Sequence, residues 1–145
     1  MTTRMPMLLA LFASLALSTV SSRATEETGP FRNLSLADAM AQAKIEGKPV
    51  FIDLFATWCG PCKMLDRVTW ADDSVRDLLQ QQTIAVKVDV DAHNDTASDY
   101  NVESIPTLVL LDPRGTEIWR TVGYVEPQTF LKEIKAQLPQ DNTNS

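Results

Sequence analysis

Two cysteines separated by two residues are the part of this sequence best suited to chemistry. Cys59 and Cys62 are the only cysteines among 145 residues, and they enclose Gly60 and Pro61. They follow the apolar run Val50–Phe55, which predicts a strand, and they precede a stretch with the pattern of a helix. A sulfur at the start of a helix meets unpaired N–H groups and the positive end of the helix dipole, which favour its thiolate. The spacing therefore predicts a disulfide that opens and closes in a redox reaction.

The position of each sulfur predicts its role in such a reaction. Cys59 would begin the helix, so it is predicted to be the accessible, acidic thiol that attacks a substrate disulfide. Cys62 would lie about one turn further on, less exposed, and is predicted to resolve the mixed disulfide formed at Cys59. Pro61 falls in the first helical turn, where its missing N–H would have no partner within the helix, and it stiffens the loop between the sulfurs.

The rest of the sequence predicts the elements that must position this pair. Strands are predicted at 50–55, 84–90, 108–111 and 117–122, the last two joined by the turn at 112–115. Helices are predicted at 35–47, 60–68, 74–79, 96–100 and 126–138. In the helix after the cysteines, Met64, Leu65 and Val68 form one predicted apolar stripe, and Asp66 is left to solvent. This order of elements is typical of the α/β class, with helices on both faces of a central sheet.

The six residues from Trp58 to Lys63, WCGPCK, resemble the active-site sequence of thioredoxins. The other positions that match this family in order and spacing are Asp53, Ile105, Pro106, Thr107 and Gly123. The resemblance extends over residues 34–138. It implies a thioredoxin fold, an α/β fold in which a central mixed β-sheet is flanked by helices on both faces, and the activity of a thiol:disulfide oxidoreductase.

The segment that follows the cysteines departs from minimal thioredoxins. The insert 69–72, Thr-Trp-Ala-Asp, followed by Val75, resembles the C-terminal periplasmic thioredoxin-like domain of DsbD, a membrane electron transporter. Trp70 within this insert is expected to belong to the core or to cover it, rather than to a substrate surface. Unlike DsbD, this chain is predicted to be free-standing and without transmembrane helices, so we do not expect it to carry electrons across a membrane itself.

One acidic residue interrupts an otherwise apolar strand. Asp53 would be costly to bury without a partner, and burial would favour its neutral form. Two interpretations remain open: an acid turned to solvent at a strand edge, or a buried proton acceptor behind Cys62. The family resemblance places Lys87 near Asp53, where the two would titrate as a coupled pair; the alternative is a surface lysine. We treat both as candidate catalytic residues beside Cys59 and Cys62.

The resemblance also implies a substrate groove around the cysteines. Its candidate residues are Trp58, Gly60, Pro61, Ile105, Pro106 and Gly123. The sequence Ile-Pro-Thr at 105–107 resembles the cis-proline loop of the family, which faces the cysteines and presents backbone to the substrate. Pro106 cannot donate a hydrogen bond to a strand ladder, which places it at the start of a strand or at a bulge.

Both ends of the chain are predicted to lie outside the domain. Arg4, the apolar run 7–20 and the small residues near Ala24 predict a secretory signal peptide. The alternative, a membrane anchor, needs about 20 apolar residues, whereas this run has 14. The predicted segments are a signal peptide at 1–24, a flexible leader at 25–33, the domain at 34–138 and a disordered tail at 139–145. We therefore expect a soluble periplasmic protein after cleavage.

Charge and the supply of metal ligands exclude other classes of function. Cleavage removes two of the 13 basic residues and none of the 19 acidic ones, which leaves 11 against 19 and a net charge of −8. Such a surface repels phosphate backbones, so no nucleic-acid partner is expected. His93 is the only histidine, too few ligands for a closed zinc site even with both cysteines, and a copper carrier of this fold would be expected to space its cysteines differently. We expect no metal and no cofactor.

The sequence thus predicts an exported thiol:disulfide oxidoreductase that reduces disulfides of protein substrates. Gly60 and Pro61 between the sulfurs resemble the reducing members of the family, whereas strongly oxidising members usually carry a histidine there. Re-reduction of the enzyme would require a membrane electron donor of the DsbD kind, and we expect the enzyme to act as a monomer. Two alternatives stay open: an oxidase or isomerase of protein disulfides, and a non-catalytic binding module whose disulfide is inert.

Overall fold

The structure is a computed structural model that describes residues 1–2 and 29–139. Apart from the first two residues, the predicted signal peptide at 1–24 lies outside the described residues. The predicted tail lies outside them as well, except for Pro139. None of the helices in the described part of the chain combines the length and the apolar character needed to cross a membrane.

Within residues 29–139, five α-helices and four strands follow one another in the order that the sequence predicts. The helices are α1 (Leu36–Glu46), α2 (Gly60–Met64), α3 (Asp73–Gln82), α4 (Asn94–Asp99) and α5 (Pro127–Gln137). The strands are β1 (Val50–Phe55), β2 (Ile84–Asp89), β3 (Thr107–Leu111) and β4 (Glu117–Val122). They form one sheet in the order β2-β1-β3-β4, in which β1 and β2 are parallel and the other neighbours are antiparallel. The predicted mixed sheet is confirmed.

Strand β1 lies inside the sheet and sends alternate side chains into two separate cores. Phe51 packs with residues of α3 and α5, such as Leu79 and Phe130, on one face. Ile52 packs on the other face with residues of α1, such as Ala43. Because successive side chains of a strand point to opposite faces, an apolar run such as β1 predicts a strand that is covered on both sides. The prediction of helices on both faces of the sheet is confirmed.

The packed domain begins earlier than the sequence predicts. The ring of Phe31 lies 5.4 Å from that of Trp70 in an edge-to-face contact, and the backbone N–H of Arg32 donates to the carbonyl oxygen of Ala85 at 2.8 Å. The prediction that 25–33 form a flexible leader is therefore wrong for its last four residues. A polar stretch with Gly and Pro is typical of a linker, but one aromatic side chain is enough to attach it to a core.

The helix that follows the cysteines also differs from its prediction. After α2 the chain forms a π-helical turn, Leu65–Thr69, in which the N–H of Trp70 donates to the carbonyl oxygen of Leu65 at 2.8 Å. The wide turn adds one residue and shifts the side chains that follow it to another face. Met64, which precedes the turn, and Val68 within it are 41% and 37% exposed, whereas Leu65 and Thr69 are buried.

Candidate active site

The cysteine pair is held where β1 ends and α2 begins. Cys59 has extended backbone angles, φ −74° and ψ 115°, and is the N-cap residue of α2. Its Sγ accepts a hydrogen bond from the backbone N–H of Cys62 at 3.2 Å. The two sulfurs form a disulfide, and the Cα atoms lie 5.3 Å apart. Because the free N–H groups of a helix start stabilise negative charge, this site favours a thiolate at Cys59 once the disulfide is reduced.

Both cysteines are covered in the disulfide form. Cys59 is 2% exposed and Cys62 is 1% exposed, so the predicted accessibility of Cys59 is not found in this state. The two residues pack with Ala56, and Val90 and Ile105 lie against them from other parts of the chain. The two cysteines still occupy different positions, Cys59 at the N-cap of α2 and Cys62 within the helix. Their exposed fractions, however, do not distinguish the attacking thiol from the resolving one.

We call four residues of the predicted groove the substrate rim: Trp58, which is exposed, Ile105 and Gly123, which are half-buried, and Pro106, which is buried. The indole of Trp58 is 68% exposed, and its Nε1–H donates to Oδ2 of Asp91 at 2.8 Å. A groove of about 390 Å³ lies between Trp58 and Ile105, with α4 beside it. The groove is lined mainly by apolar side chains, so it can hold an extended segment of another chain against the cysteines.

The rim also contains backbone features that the motifs predict. The peptide bond between Ile105 and Pro106 is cis. The N–H of Gly123 donates to the carbonyl oxygen of Pro106 at 2.8 Å, which joins two parts of the rim. Gly123 has a φ of +91°, a conformation that glycine adopts without strain. Gly60 begins α2, and Pro61 lies in its first turn.

A buried carboxylate lies on β1, away from the rim. Asp53 is 0% exposed, which excludes the interpretation of an acid turned to solvent. Its Oδ2 accepts a hydrogen bond from Nε1–H of Trp70 at 3.0 Å and lies 3.4 Å from Nζ of Lys87. Among the described residues, no side chain or backbone group donates to its Oδ1. One carboxylate oxygen is thus held by two donors, and the other is free to accept a proton.

Lys87 connects this carboxylate to the surface. It pairs directly with Asp53 across the parallel strands β1 and β2. Its Nζ also bonds to Oδ1 of Asp66 at 2.5 Å and lies over the rings of Phe55 and Phe31, 4.5 Å and 5.5 Å from their centroids. The lysine is 22% exposed, so it is neither a free surface lysine nor fully enclosed. We call Asp53, Trp70, Lys87 and Asp66 the Asp53 cluster.

Burial dominates the titration of Asp53. Desolvation raises the pKa of this carboxyl from 3.8 to about 6, although the charge of Lys87 and the hydrogen bond from Trp70 both lower it. The negative charge of Asp66 adds a smaller increase. A carboxyl group with a pKa near 6 exchanges its proton close to neutral pH, as a general acid or base must.

Three residues of this site were not assigned to it from the sequence. Trp70 is buried, as expected, but its hydrogen bond to Asp53 had no sequence signal. Asp66 was predicted only to face solvent, and Phe31 only to belong to a leader. Within 29–139, no group of three or more His, Cys, Asp or Glu side chains is arranged to hold a metal ion.

Comparison with known proteins relates the whole described domain to one family. A family model described as "Thioredoxin-like domain" matches residues 36–138. A thioredoxin of Mycolicibacterium smegmatis is 41% identical over 92 residues, which cover 63% of this chain and 80% of that protein. A solved thioredoxin structure from Thermus thermophilus superposes with a TM-score of 0.67 at 27% identity, over 74% of this chain and 86% of that chain.

A second relative is much longer than this protein. The thiol:disulfide interchange protein DsbD of Yersinia pestis is 34% identical over 112 residues, which are 73% of this chain. The chain spans 18% of the length of that relative. The similarity therefore relates this domain to one part of a larger thiol:disulfide interchange protein.

Proposed function

This chain belongs to the thioredoxin-like family and carries the redox cysteine pair of a thiol:disulfide oxidoreductase, and we propose that it reduces protein disulfides outside the cytoplasm. The observation that carries the proposal is the position of Cys59. Its sulfur lies at the N-terminus of α2, accepts the N–H of Cys62 and is already bonded to the sulfur of Cys62. A cysteine at such a position is an effective nucleophile when reduced and an effective leaving group when oxidised.

The reaction proceeds in two exchanges. The thiolate of Cys59 attacks one sulfur of the substrate disulfide, forms a mixed disulfide and releases the other substrate sulfur as a thiolate. Cys62 then loses its proton and attacks the sulfur of Cys59, which releases the second substrate thiolate and forms the Cys59–Cys62 disulfide. Two electrons pass from the enzyme to the substrate, and the enzyme must be reduced again before the next turnover.

Asp53 accepts the proton of Cys62 in the second exchange. Its Oδ1 has no hydrogen-bond donor among the described residues, and its pKa of about 6 leaves it largely ionised at neutral pH. Lys87 stabilises the ionised form, so Asp53 can act as a base although it is buried. Both residues therefore act on the resolving step rather than on the attack by Cys59.

The substrate is a segment of another protein bound along the substrate rim. Trp58 supplies an exposed apolar contact and Ile105 a half-buried one. Neither Gly60 nor Pro61 carries a positive charge. The thiolate of the reduced enzyme is therefore not stabilised by a charge between the two sulfurs. This favours a reducing enzyme over an oxidase or isomerase.

The predicted signal peptide supports the proposed location, and the longer relative supports the proposed electron donor. The predicted signal peptide at 1–24 directs the enzyme to the periplasm, where it works as a soluble monomer. Because the periplasm is oxidising, a dedicated reductant is required. Similarity to one part of DsbD supports a membrane donor of that kind as the source of electrons.

A single-turnover assay tests the activity. Pre-reduced protein is mixed with insulin, and the thiols that appear on insulin are counted. We expect transfer of two electrons per molecule from the wild type, none from Cys59→Ser, and a trapped mixed disulfide from Cys62→Ser. A Cys59→Ser variant as active as the wild type would leave only a binding role. A reduction potential as high as those of oxidising enzymes would reverse the proposed direction.

A further inference from the structure

The charged residues behind the cysteines form a continuous path from a buried carboxylate to solvent. Lys87 Nζ lies 3.4 Å from Oδ2 of Asp53 and 2.5 Å from Oδ1 of Asp66. Asp53 is 0% exposed, whereas the side chain of Asp66 is 48% exposed. We propose that Asp66 is a positioning residue that acts through Lys87. It passes to solvent the proton that Asp53 takes from Cys62. The proposal rests on the proposed role of Asp53.

Only one of the polar contacts of Asp53 is able to relay a proton. The indole of Trp70 donates its N–H but has no lone pair on nitrogen that could accept a proton in return. The amine of Lys87 gains such a lone pair as soon as it gives a proton away. Its shorter contact is to Asp66, so that carboxylate is the group positioned to receive the proton from Lys87.

The transfer is balanced without any other reactant. The proton arrives at Oδ1 of Asp53, whereas Lys87 contacts Oδ2, so the neutral carboxyl group rotates to present its O–H to Nζ. Lys87 then gives a proton to the carboxylate of Asp66 as it takes this one from Asp53, and it remains an ammonium group. Asp53 returns to its ionised form, and Asp66 releases the proton to water. Electrons move only between the sulfur atoms, so this path resets the proton acceptor without changing the redox chemistry.

The other groups around the path do not offer an equivalent exit. Lys87 and Asp66 are the charged groups that act on Asp53, and its partner on β3 is Leu108. On its far side, Lys87 faces a cavity that is also lined by Asp89 and His93. Within the described residues, the ion pairs of Lys87 are with Asp53 and Asp66 alone.

The test follows the resolving step separately from the first attack. Reduced protein is mixed with an aromatic disulfide that releases one coloured thiolate in each exchange, and both phases are timed between about pH 5 and pH 9. For Asp66→Asn we expect an unchanged first phase and a second phase about tenfold slower, which is below the usual range of general acid–base effects because other water routes remain. Asp66→Glu keeps the carboxylate and is expected to retain most of the rate.

Two controls separate a relay from a structural effect. Asp73→Asn removes the same charge from a 95% exposed side chain on α3 and is expected to leave both phases unchanged. Added imidazole is a small proton carrier and is expected to restore the second phase of Asp66→Asn, with little effect on the wild type. The proposal is overturned if the second phase of Asp66→Asn is as fast as that of Asp73→Asn. It is also overturned if the second phase is slow but is restored neither by imidazole nor by the Asp66→Glu substitution.

Asp53→Asn in the same assay separates this proposal from the function on which it rests. If its second phase is slow while that of Asp66→Asn is normal, Asp53 accepts the proton but the relay through Asp66 is wrong. If the second phase of Asp53→Asn is as fast as that of the wild type, the proposed role of Asp53 fails and the relay fails with it. Reduction of insulin through Cys59 and Cys62 would stand in either case.

Discussion

The substrate rim and the Asp53 cluster are built in different ways. The rim exposes Trp58 and has few strong polar contacts within itself. The cluster buries Asp53 completely and joins it to Trp70 and Lys87 by hydrogen bonding and charge. Exposed apolar surface is suited to binding, whereas burial is what moves a carboxyl pKa toward neutral pH. The comparison suggests that substrate affinity and proton transfer are controlled separately in this protein.

The largest expected effect is that of Asp53→Asn on the resolving step. Asparagine keeps the shape of the side chain but cannot accept the proton of Cys62, so we expect kcat to fall about a hundredfold. The KM for a protein substrate should change little, because the rim is intact. Steady-state reduction of insulin measures both, and a change confined to KM would contradict the division between the two regions.

The same variant should be more stable than the wild type at high pH. The pKa of Asp53 is about 6 in the folded protein and near its ordinary value when unfolded, so the folded state binds its proton more tightly. The stability that this proton contributes is complete below pH 3.8 and is lost as the pH rises through about 6. The difference between these two pKa values corresponds to about 3 kcal/mol in the free energy of unfolding. In urea unfolding at pH 8, the free energy of unfolding of Asp53→Asn should exceed that of the wild type by nearly this amount. At pH 4 the two proteins should be almost equally stable.

Phe31→Ala is expected to have the next largest effect. The ring packs edge-to-face on Trp70 and lies near the ammonium of Lys87, so its removal should cost about 2 kcal/mol in the free energy of unfolding, less than for a fully buried phenylalanine. Water would also reach the cluster and lower the pKa of Asp53. Phe31→Leu serves as the control and should lose less stability. Equal stability of Phe31→Ala and the wild type would restore the interpretation of a free leader.

Trp70→Phe should have a smaller effect that depends on pH. The variant keeps an aromatic ring but removes the N–H that stabilises the ionised form of Asp53, so the pKa of Asp53 should rise further. We expect a loss of about 1.5 kcal/mol at pH 8, the typical contribution of a hydrogen bond to a charged group, and a smaller loss at pH 4. Equal losses at both pH values would mean that the ring matters only for packing.

Trp58→Ala should have the smallest effect, and it tests the other region. The indole is largely exposed, so the free energy of unfolding should change by no more than about 0.5 kcal/mol. We expect the KM for a protein substrate to rise about fivefold, which corresponds to about 1 kcal/mol, with kcat unchanged. A fall in kcat without a change in KM would show that the rim contributes to the chemistry.

The two regions also differ in how far the sequence predicts them. The rim depends on contiguous motifs, such as the residues around Cys59 and the Ile105–Pro106 pair, and the strands follow from apolar runs such as that of β1. Local patterns of this kind are visible in a single sequence. The Asp53 cluster brings together residues from three separate segments, β1, β2 and the π-helical turn with its cap, so neither the indole of Trp70 nor the carboxylate of Asp66 could be assigned to it.

Asp66 is exposed as predicted, and the π-helical turn explains why its ion pair with Lys87 was not foreseen. A side chain far away in the sequence stabilises this turn, because the hydroxyl group of Thr69 donates to the carbonyl oxygen of Val125 at 2.6 Å. A regular helix read from the sequence puts Met64 and Val68 into the core and leaves Asp66 without a partner. The wide turn brings Asp66 to Lys87, so a departure from helical periodicity completes the cluster.

The coverage of Cys59 and Cys62 insulates the oxidised enzyme. Attack on a disulfide requires a thiolate to approach one of its sulfur atoms, and small thiols that diffuse past Ile105 find almost none of that surface open. A macromolecular donor that docks on the groove can displace the cover and gain access. If the enzyme is the proposed reductase, it would thus keep a redox state that differs from that of the surrounding small-thiol pool, and the choice of docking partner would determine when electrons enter.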